Sequence, residues 1–342
     1  MKVLLTSNAN NPYITELVEG LAAKVEIVNS VTEFWNSEAM FDVIHIQWPE
    51  ELFKWLAPSK QQLIEFKNRM IMWRSRGAKI VVTRHNELPN KADAERFKEL
   101  YDFSYSTADA VVHLGEYSLE NLVSRGSGTL NSLIPHHIYT SYPNFVDRKE
   151  ARKELGIKED AKVILCFGKI RNKEEKEFIF NAFSKINIKK KYLLIPGFFE
   201  RHSFKKHPVR KISIRVKHIL RKMFSDQWLG FKFVHHRKVQ FFFNAADVVL
   251  IPRLENLTSG VIYLSLAFNK YIVGPANGNI TEVLRAFDFP TFNVSDEESV
   301  VAAIEKGLSA NTSSTISEKD KERFLLSYSI KQHIDLYTTL TQ

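Results

Sequence analysis

Three cations, Lys169, Arg171 and Lys173, stand just after the apolar run "KVILCFG". Much later in the chain, Thr258, Ser259 and Gly260 stand where another apolar run, "VIYLSLAF", begins. Cations at a strand end and small residues at a helix start are the two ingredients of an anion site. A helix N-terminus carries about half a positive charge and leaves its first N–H groups without partners. A glycine there has no Cβ to hold a ligand oxygen away from the backbone. Together the two groups suit a diphosphate. Taken singly, each also reads as a solvated basic loop and an ordinary helix cap.

Other chemistries lack their motifs. No G-x-G-x-x-G follows the first strand, and neither a G-x-x-x-x-G-K-[ST] loop nor a G-x-S-x-G elbow occurs. That removes the sequence case for a nicotinamide enzyme, a P-loop nucleotidase or a hydrolase of that type. His136-His137 and His235-His236 are adjacent pairs rather than i, i+4 pairs, and the one cysteine, Cys166, lies in a strand-like run. No metal is therefore expected.

These residues need elements to hold them. Short apolar runs suit buried parallel strands: "KVLLT", "KVEIV", "DVIHIQW", "KIVVTRHN", "AVVHLG" and "LIPHHIY". Helical spacing lies between several of them, as at Leu63, Phe66, Met70 and Trp73 within 59–76. A turn cluster with Pro143, Asn144 and Asp147 interrupts the pattern, and Asp147 is placed to cap "RKEARKEL". The alternation restarts with "KVILCFG", "KYLLIPG", "FKFV", a helix around Val239–Asn244, "VVLIP", "YIVGPA" and "PTFNV", and a last helix is predicted near 318–339. Such alternation predicts two doubly wound α/β halves, with ligands at the carboxyl ends of the strands. Polar residues collect there: His45, Gln47, Glu50, Arg84, His85, Asn86, His113, Glu116, His136, Lys169, Arg171 and Glu255.

A family resemblance rests on several segments in order. They are "NPYITELVEGL" at 11–21, "DVIHIQWPE" at 42–50, "IVVTRHNELPN" at 80–90, "ADAVVHLGEYS" at 108–118, "IPHHIYTSYPN" at 134–144, "ARKELGI" at 151–157, "FGKIRNKEE" at 167–175 and the long stretch 233–284. The chain resembles GT-B glycosyltransferases, near the family 4 enzymes that build bacterial polysaccharides. The resemblance implies two Rossmann-like domains facing across a cleft: an acceptor-side domain over 1–146, a nucleotide-sugar domain over 147–325, and a helix over 326–342 crossing back to the first. It implies a hexosyltransferase-type enzyme that moves a sugar from a nucleotide diphosphate sugar to a lipid-linked saccharide acceptor, with no cofactor. Lys169, Arg171, Lys173, Thr258, Ser259, Gly260 and Glu282 would bind the donor, and His85 and Glu255 would be catalytic. Asn11, Tyr13, Trp48 and Glu50 would receive the acceptor. Three places depart from the family: Ser265 stands where a second Glu is usual, Glu174 where a Lys is, and His137-Ile138 where Gly-His is.

The formal net charge of +9 is not spread evenly. Residues 201–238 hold twelve Lys or Arg and one acid, Asp226, while the remainder is close to neutral. Within that segment, 209–224 ("VRKISIRVKHILRKMF") has Val209, Ile212, Val216, Ile219, Leu220 and Met223 on one stripe, with basic residues largely away from it. That pattern predicts an amphipathic helix on an anionic membrane surface. No run approaches the ~20 apolar residues that cross a bilayer, and "MKVLLTSNANNPY" reads as a strand and turn rather than a signal. The expected location is the cytoplasm, on the inner face of the membrane. Two rivals remain: a sugar-nucleotide epimerase of the same architecture, which needs no acceptor, and a nucleic-acid-binding protein using the basic segment. Aliphatic rather than aromatic residues interleave the basic ones, which argues against the second.

Overall fold

The computed structural model describes residues 1–7, 11–89, 94–123, 128–197, 226–230, 233–310 and 318–342. The basic stretch over 209–224 lies outside the described residues. The chain divides into two compact units, one of Met1–Ser141, Asn256–Thr258 and Lys321–Gln342, the other of Tyr142–Glu255 and Ser259–Asp320.

In the first unit, β1 (Lys2–Thr6), β2 (Glu26–Asn29), β3 (Val43–Ile46), β4 (Lys79–Arg84), β5 (Ala110–His113) and β6 (Leu130–Leu133) form a parallel sheet in the order β2-β1-β3-β4-β5-β6. Its central strands are apolar on both faces because helices cover both. Leu4, Ile44, Ile80 and Val82 pack with Phe66, Met70 and Trp73 of helix Lys60–Ser75. Their neighbours Val3, Leu5, Val43 and Val81 pack on the other face with Ile14 and Leu17, and with Leu336 and Tyr337 of the last helix, Leu326–Thr341. Gly20 lets helix Pro12–Ala22 approach that last helix, since a Cβ there would lie 2.6 Å from Ile330.

The second unit has β7 (Lys162–Leu165), β8 (Lys191–Ile195), β9 (Gln227–Leu229), β10 (Val248–Leu250), β11 (Tyr271–Pro275) and β12 (Thr291–Phe292). They too are parallel, in the order β12-β11-β10-β7-β8-β9. Asp147 caps helix Arg148–Leu155 through the Glu150 N–H, and Gly156 ends it at φ 69. Arg152 of that helix is wholly buried. It meets Asp247 at 2.8 Å and donates to the carbonyls of Glu159 (2.6 Å), Ala161 (2.9 Å) and Ala245 (3.1 Å). Asp247 also accepts from Arg148 and from the Val163 N–H, each at 2.7 Å.

Three sequence expectations are corrected. "LIPHHIY" is not a strand beyond Leu133: β6 ends there, and Pro135 has no N–H to extend a ladder. Of "FKFV", Phe231 and Lys232 lie outside the described residues, and Phe233 and Val234 are not in a strand. The pairing residues are Gln227–Leu229, and Gly230 then passes so close to Pro196 that a Cβ would lie 2.1 Å from its carbonyl oxygen. The last helix is not continuous over 318–339. It breaks at Phe324, which is buried and whose carbonyl accepts from the Ile138 N–H at 2.7 Å, and it restarts at Leu326.

Glu16 fastens the end of the first unit. Its carboxylate accepts from the backbone N–H and hydroxyl of both Thr140 and Ser141, and His137 Nε2 lies 3.4 Å away. Burial alone would raise its pKa, but the close approach of His137 and the hydrogen bonds from Ser141 and Thr140 outweigh it and hold the group at about 2. Because the folded pKa is depressed, this stabilisation is full above the ordinary carboxyl range and is lost as pH falls toward 2. Glu16→Gln is expected to cost about 1.5–3 kcal/mol at neutral pH. Thermal unfolding of both proteins checks it: the gap between them should shrink as pH is lowered from 5 toward 3.

Candidate functional site

In the second sheet the chain runs β7, β8, β9 to one side and β10, β11, β12 to the other. The order reverses between β7 and β10. In an open parallel sheet the crevice beyond such a reversal is where ligands bind, because the loops after the two strands diverge. The loop after β7 carries Gly168, Lys169 and Arg171, and the loop after β10 carries Arg253, Glu255 and Ser259. The sequence-predicted donor residues on these two loops therefore flank one reversal point.

A buried ion pair ties the loops together. Arg253 Nη1 lies 2.7 Å from Glu175 Oε2, with both side chains almost fully buried. Arg253 Nη2 donates to the Lys169 carbonyl at 3.0 Å, and Glu175 Oε2 accepts the Arg171 N–H at 2.9 Å. Gly168 turns the first loop at φ 92, and a Cβ there would meet Arg253 Nη2 at 3.2 Å. The loop after β11 joins in through Asn277, whose Nδ2 donates to the Leu254 carbonyl at 2.7 Å. Asn172 caps helix Lys173–Lys185 by accepting from the Glu175 N–H at 2.8 Å. Arg171 is exposed beyond this frame. Partial desolvation, then the charge of Arg253, lowers it to about 10, so it stays a cation at neutral pH. Lys173 is exposed and pairs with Glu177 at 3.4 Å.

Ser259 occupies the N-cap of helix Gly260–Ala267 in extended conformation and is buried, yet its side chain makes no capping hydrogen bond. The reading of Ser259 as an ordinary side-chain cap does not hold. Its carbonyl accepts the Ile262 N–H at 3.1 Å, and the hydroxyl leaves the first turn's donors alone. Thr258 is half-buried and Glu255 exposed. Glu282 is half-buried on helix Gly278–Ala286.

The first unit gathers a different set. Trp48, just after β3, stacks on His85, just after β4, with ring centroids 4.1 Å apart and planes 19° apart. Tyr13 meets His85 edge-on at 5.5 Å and lies 4.4 Å from the His136 ring. Trp55 tilts against Trp48 at 6.0 Å. Burial lowers His85 to about 3, so the imidazole is neutral at physiological pH. The hydrogen-bond network assigns its tautomer. His85 Nε2–H donates to Gln47 Oε1 at 3.0 Å, and Gln47 Nε2 donates to His45 Nε2 at 3.2 Å. His45 Nδ1–H donates to the Tyr337 hydroxyl at 2.6 Å, and Thr83 donates to His45 Nε2 at 2.8 Å. That chain leaves the Nδ1 lone pair of His85 to accept from a hydroxyl.

Two expected acceptor residues have structural work in view. Asn11 caps helix Pro12–Ala22, accepting from the Tyr13 N–H at 3.1 Å. Glu50 is buried and accepts the Tyr101 hydroxyl at 2.7 Å. Sequence reasoning missed the Arg253–Glu175 pair and had Gln47 only as one polar residue among many. The available signal was position: Arg253 and Glu175 flank the two loops already singled out. Among the described residues, no group of three or more His, Cys, Asp or Glu is placed to hold a metal ion, and no helix is long and apolar enough to cross a membrane.

Solved structures match this arrangement along the whole chain. Sucrose-phosphate synthase of Thermosynechococcus elongatus is 16% identical, with 99% of each chain covered and a TM-score of 0.67. Anabaena HepE in complex with UDP-glucose is 12% identical, with 99% of this chain and 100% of that one covered and a TM-score of 0.68. The chain has the GT-B fold. A glycosyltransferase of Rickettsia africae is a third GT-B neighbour, 12% identical over 100% of this chain and 98% of that one, at a TM-score of 0.62. No protein-family model and no curated protein matches the sequence. Both units are Rossmann-like parallel sheets.

Proposed function

We propose that the chain is a glycosyltransferase of the hexosyl-transferring type. Its second unit binds a nucleoside diphosphate sugar, and its first unit receives the acceptor, a lipid-linked saccharide of a bacterial surface polysaccharide. The observation that carries the reading is the pair of loops at the β7/β10 reversal. One presents Arg171 on a fixed frame, and the other opens a helix whose N-cap hydroxyl is not spent on capping. Arg171 would grip the diphosphate bidentately. The Ser259–Gly260 backbone would take a phosphate oxygen, with Lys169, Lys173, Thr258 and Glu282 around the donor and Glu255 beside it. His85 would accept from a sugar hydroxyl, and its neighbours Tyr13 and Trp48 would face the acceptor. Anabaena HepE, a neighbour in fold, has been solved with UDP-glucose, which makes a uridine diphosphate sugar the first donor to try. Peripheral attachment at the inner membrane face through 209–224 completes the proposal.

Calorimetry tests the donor site. UDP-glucose and UDP are expected to bind, and Arg171→Ala to weaken both roughly 10- to 150-fold, the worth of about 1.5–3 kcal/mol for a hydrogen bond to a charged group. Gly260→Val should block the diphosphate while uridine is unaffected by either change. Diphosphate binding that survives both substitutions in folded protein would sink the reading. Sugar conversion by donor alone, without acceptor, would identify an epimerase instead.

A further inference from the structure

Three arginines among the described residues are more than nine-tenths buried: Arg84, Arg152 and Arg253. Two follow the rule that a buried cation is paired. Arg152 meets Asp247 at 2.8 Å, and Arg253 meets Glu175 at 2.7 Å. Among the described residues, Arg84 has no carboxylate at ion-pair distance and donates no side-chain hydrogen bond, while its Nε is sealed from solvent without a partner. The acids that act on it through space, Glu87 and Asp102, do so without contact. Burial accordingly lowers its pKa.

Its surroundings do not supply the missing charge. The guanidinium carbon lies over the Tyr105 ring, 3.6 Å from its centroid, a contact that favours the cation but uses none of its N–H donors. The Tyr105 hydroxyl donates to the Asn86 carbonyl at 3.3 Å, and the Tyr101 hydroxyl donates to Glu50. His113, beside Arg84 in the β4–β5 register, is held neutral at about 4, mainly by burial, and its Nε2 bonds Asn131 at 3.0 Å. Nε is sealed from solvent without a partner, while the two terminal nitrogens, which bond nothing among the described residues, are not sealed and share the little exposure, 8%, that the residue keeps. The group is a fork with its stem walled in and its prongs without a partner among the described residues.

We propose that Arg84 is the anchor of an anion subsite in the first unit, which takes a carboxylate or phosphate group bidentately on its two terminal nitrogens. It stands at the end of β4, one residue before His85. Under the glycosyltransferase reading, on which only this last step rests, the anion belongs to the acceptor: a uronate, or the phosphate of a lipid linkage.

The full chain is titrated at constant ionic strength with glucuronate, with glycerol phosphate and with methyl glucoside as the neutral control, followed by thermal midpoint and by calorimetry. At least one anion should bind and the glucoside should not. The stronger anion names the source, a uronate or a phosphate. Arg84→Met should lose at least tenfold in affinity while its ligand-free midpoint stays level or rises, because it removes a buried charge that no carboxylate among the described residues meets at ion-pair distance. Arg84→Lys keeps the charge but not the fork, and should also lose about tenfold. Equal anion binding by folded Arg84→Met or Arg84→Lys overturns the proposal. So does a fall in midpoint with binding retained, the mark of a structural arginine, and so does wild-type protein that takes neither anion. These results are independent of the UDP-glucose titration, so either reading can fail alone.

Discussion

Arg152→Met is expected to destabilise the second unit by about 3–5 kcal/mol, the cost of leaving one partner of a buried pair uncompensated. The substitution keeps an apolar stem but strips every hydrogen bond from the head. Asp247, 5% exposed in the intact protein, would keep Arg148 and the Val163 N–H as hydrogen-bond partners and the more distant charge of Lys270. The carbonyls of Glu159, Ala161 and Ala245 would lose their donor as well. These groups join helix Arg148–Leu155, the turn before β7, and the end of helix Val239–Ala245, so the loss is shared by three elements. For a unit of this size the midpoint should fall by on the order of 10 °C. Arg148→Ala is the control, since it bonds the same carboxylate from a half-exposed position, where such pairs contribute about 0–1 kcal/mol. Calorimetry of the full chain reads both. Equal midpoints for wild type and Arg152→Met, or equal losses for the two variants, would show that Arg152 does not hold these elements together.

The central strands were readable because burial on both faces fills them mainly with apolar residues. "KVLLT", "KIVVTR" and "VVL" stand in the middle of their sheets. The edges were not readable. β6 reads "LNSL" and β9 reads "QWL", and both are last in their sheets, where one side has no neighbour and burial imposes little pattern. The same limit applies to the site. A cation after a strand is visible in sequence, so Lys169 and Arg171 could be named. That Glu175 meets Arg253, 78 residues on, depends on which strands are adjacent, and no spacing encodes that. Glu50 shows the converse. It follows a strand like a site residue, but Tyr101, 51 residues later, takes its carboxylate. Ser259 was ambiguous because a cap and a phosphate cradle use the same residue types; only the direction of its hydroxyl separates them.

Arg253→Met is expected to weaken binding of a nucleoside diphosphate at least tenfold without touching the anion. In the intact protein Glu175 is 4% exposed, and Arg253 neutralises it from below while also holding the Lys169 carbonyl. Without Arg253, Arg171 is a cation at hand: its backbone N–H already bonds Glu175 and its charge already feels it. A buried carboxylate without a partner is costly enough to draw that side chain in. Arg171 would then be spent on Glu175 instead of on phosphate, and the loop from Gly168 would lose its tie to the loop after β10. The double variant Glu175→Gln, Arg253→Met removes both the claim and the claimant. It should bind the diphosphate more tightly than Arg253→Met alone, with a coupling within about 0.5–3 kcal/mol, as for residues in one network. Uridine should bind both variants and the wild type alike, which separates a misplaced Arg171 from a collapsed unit. If uridine falls in step with the diphosphate, or the double variant recovers nothing, Arg253 is a structural tie and Arg171 does not depend on it.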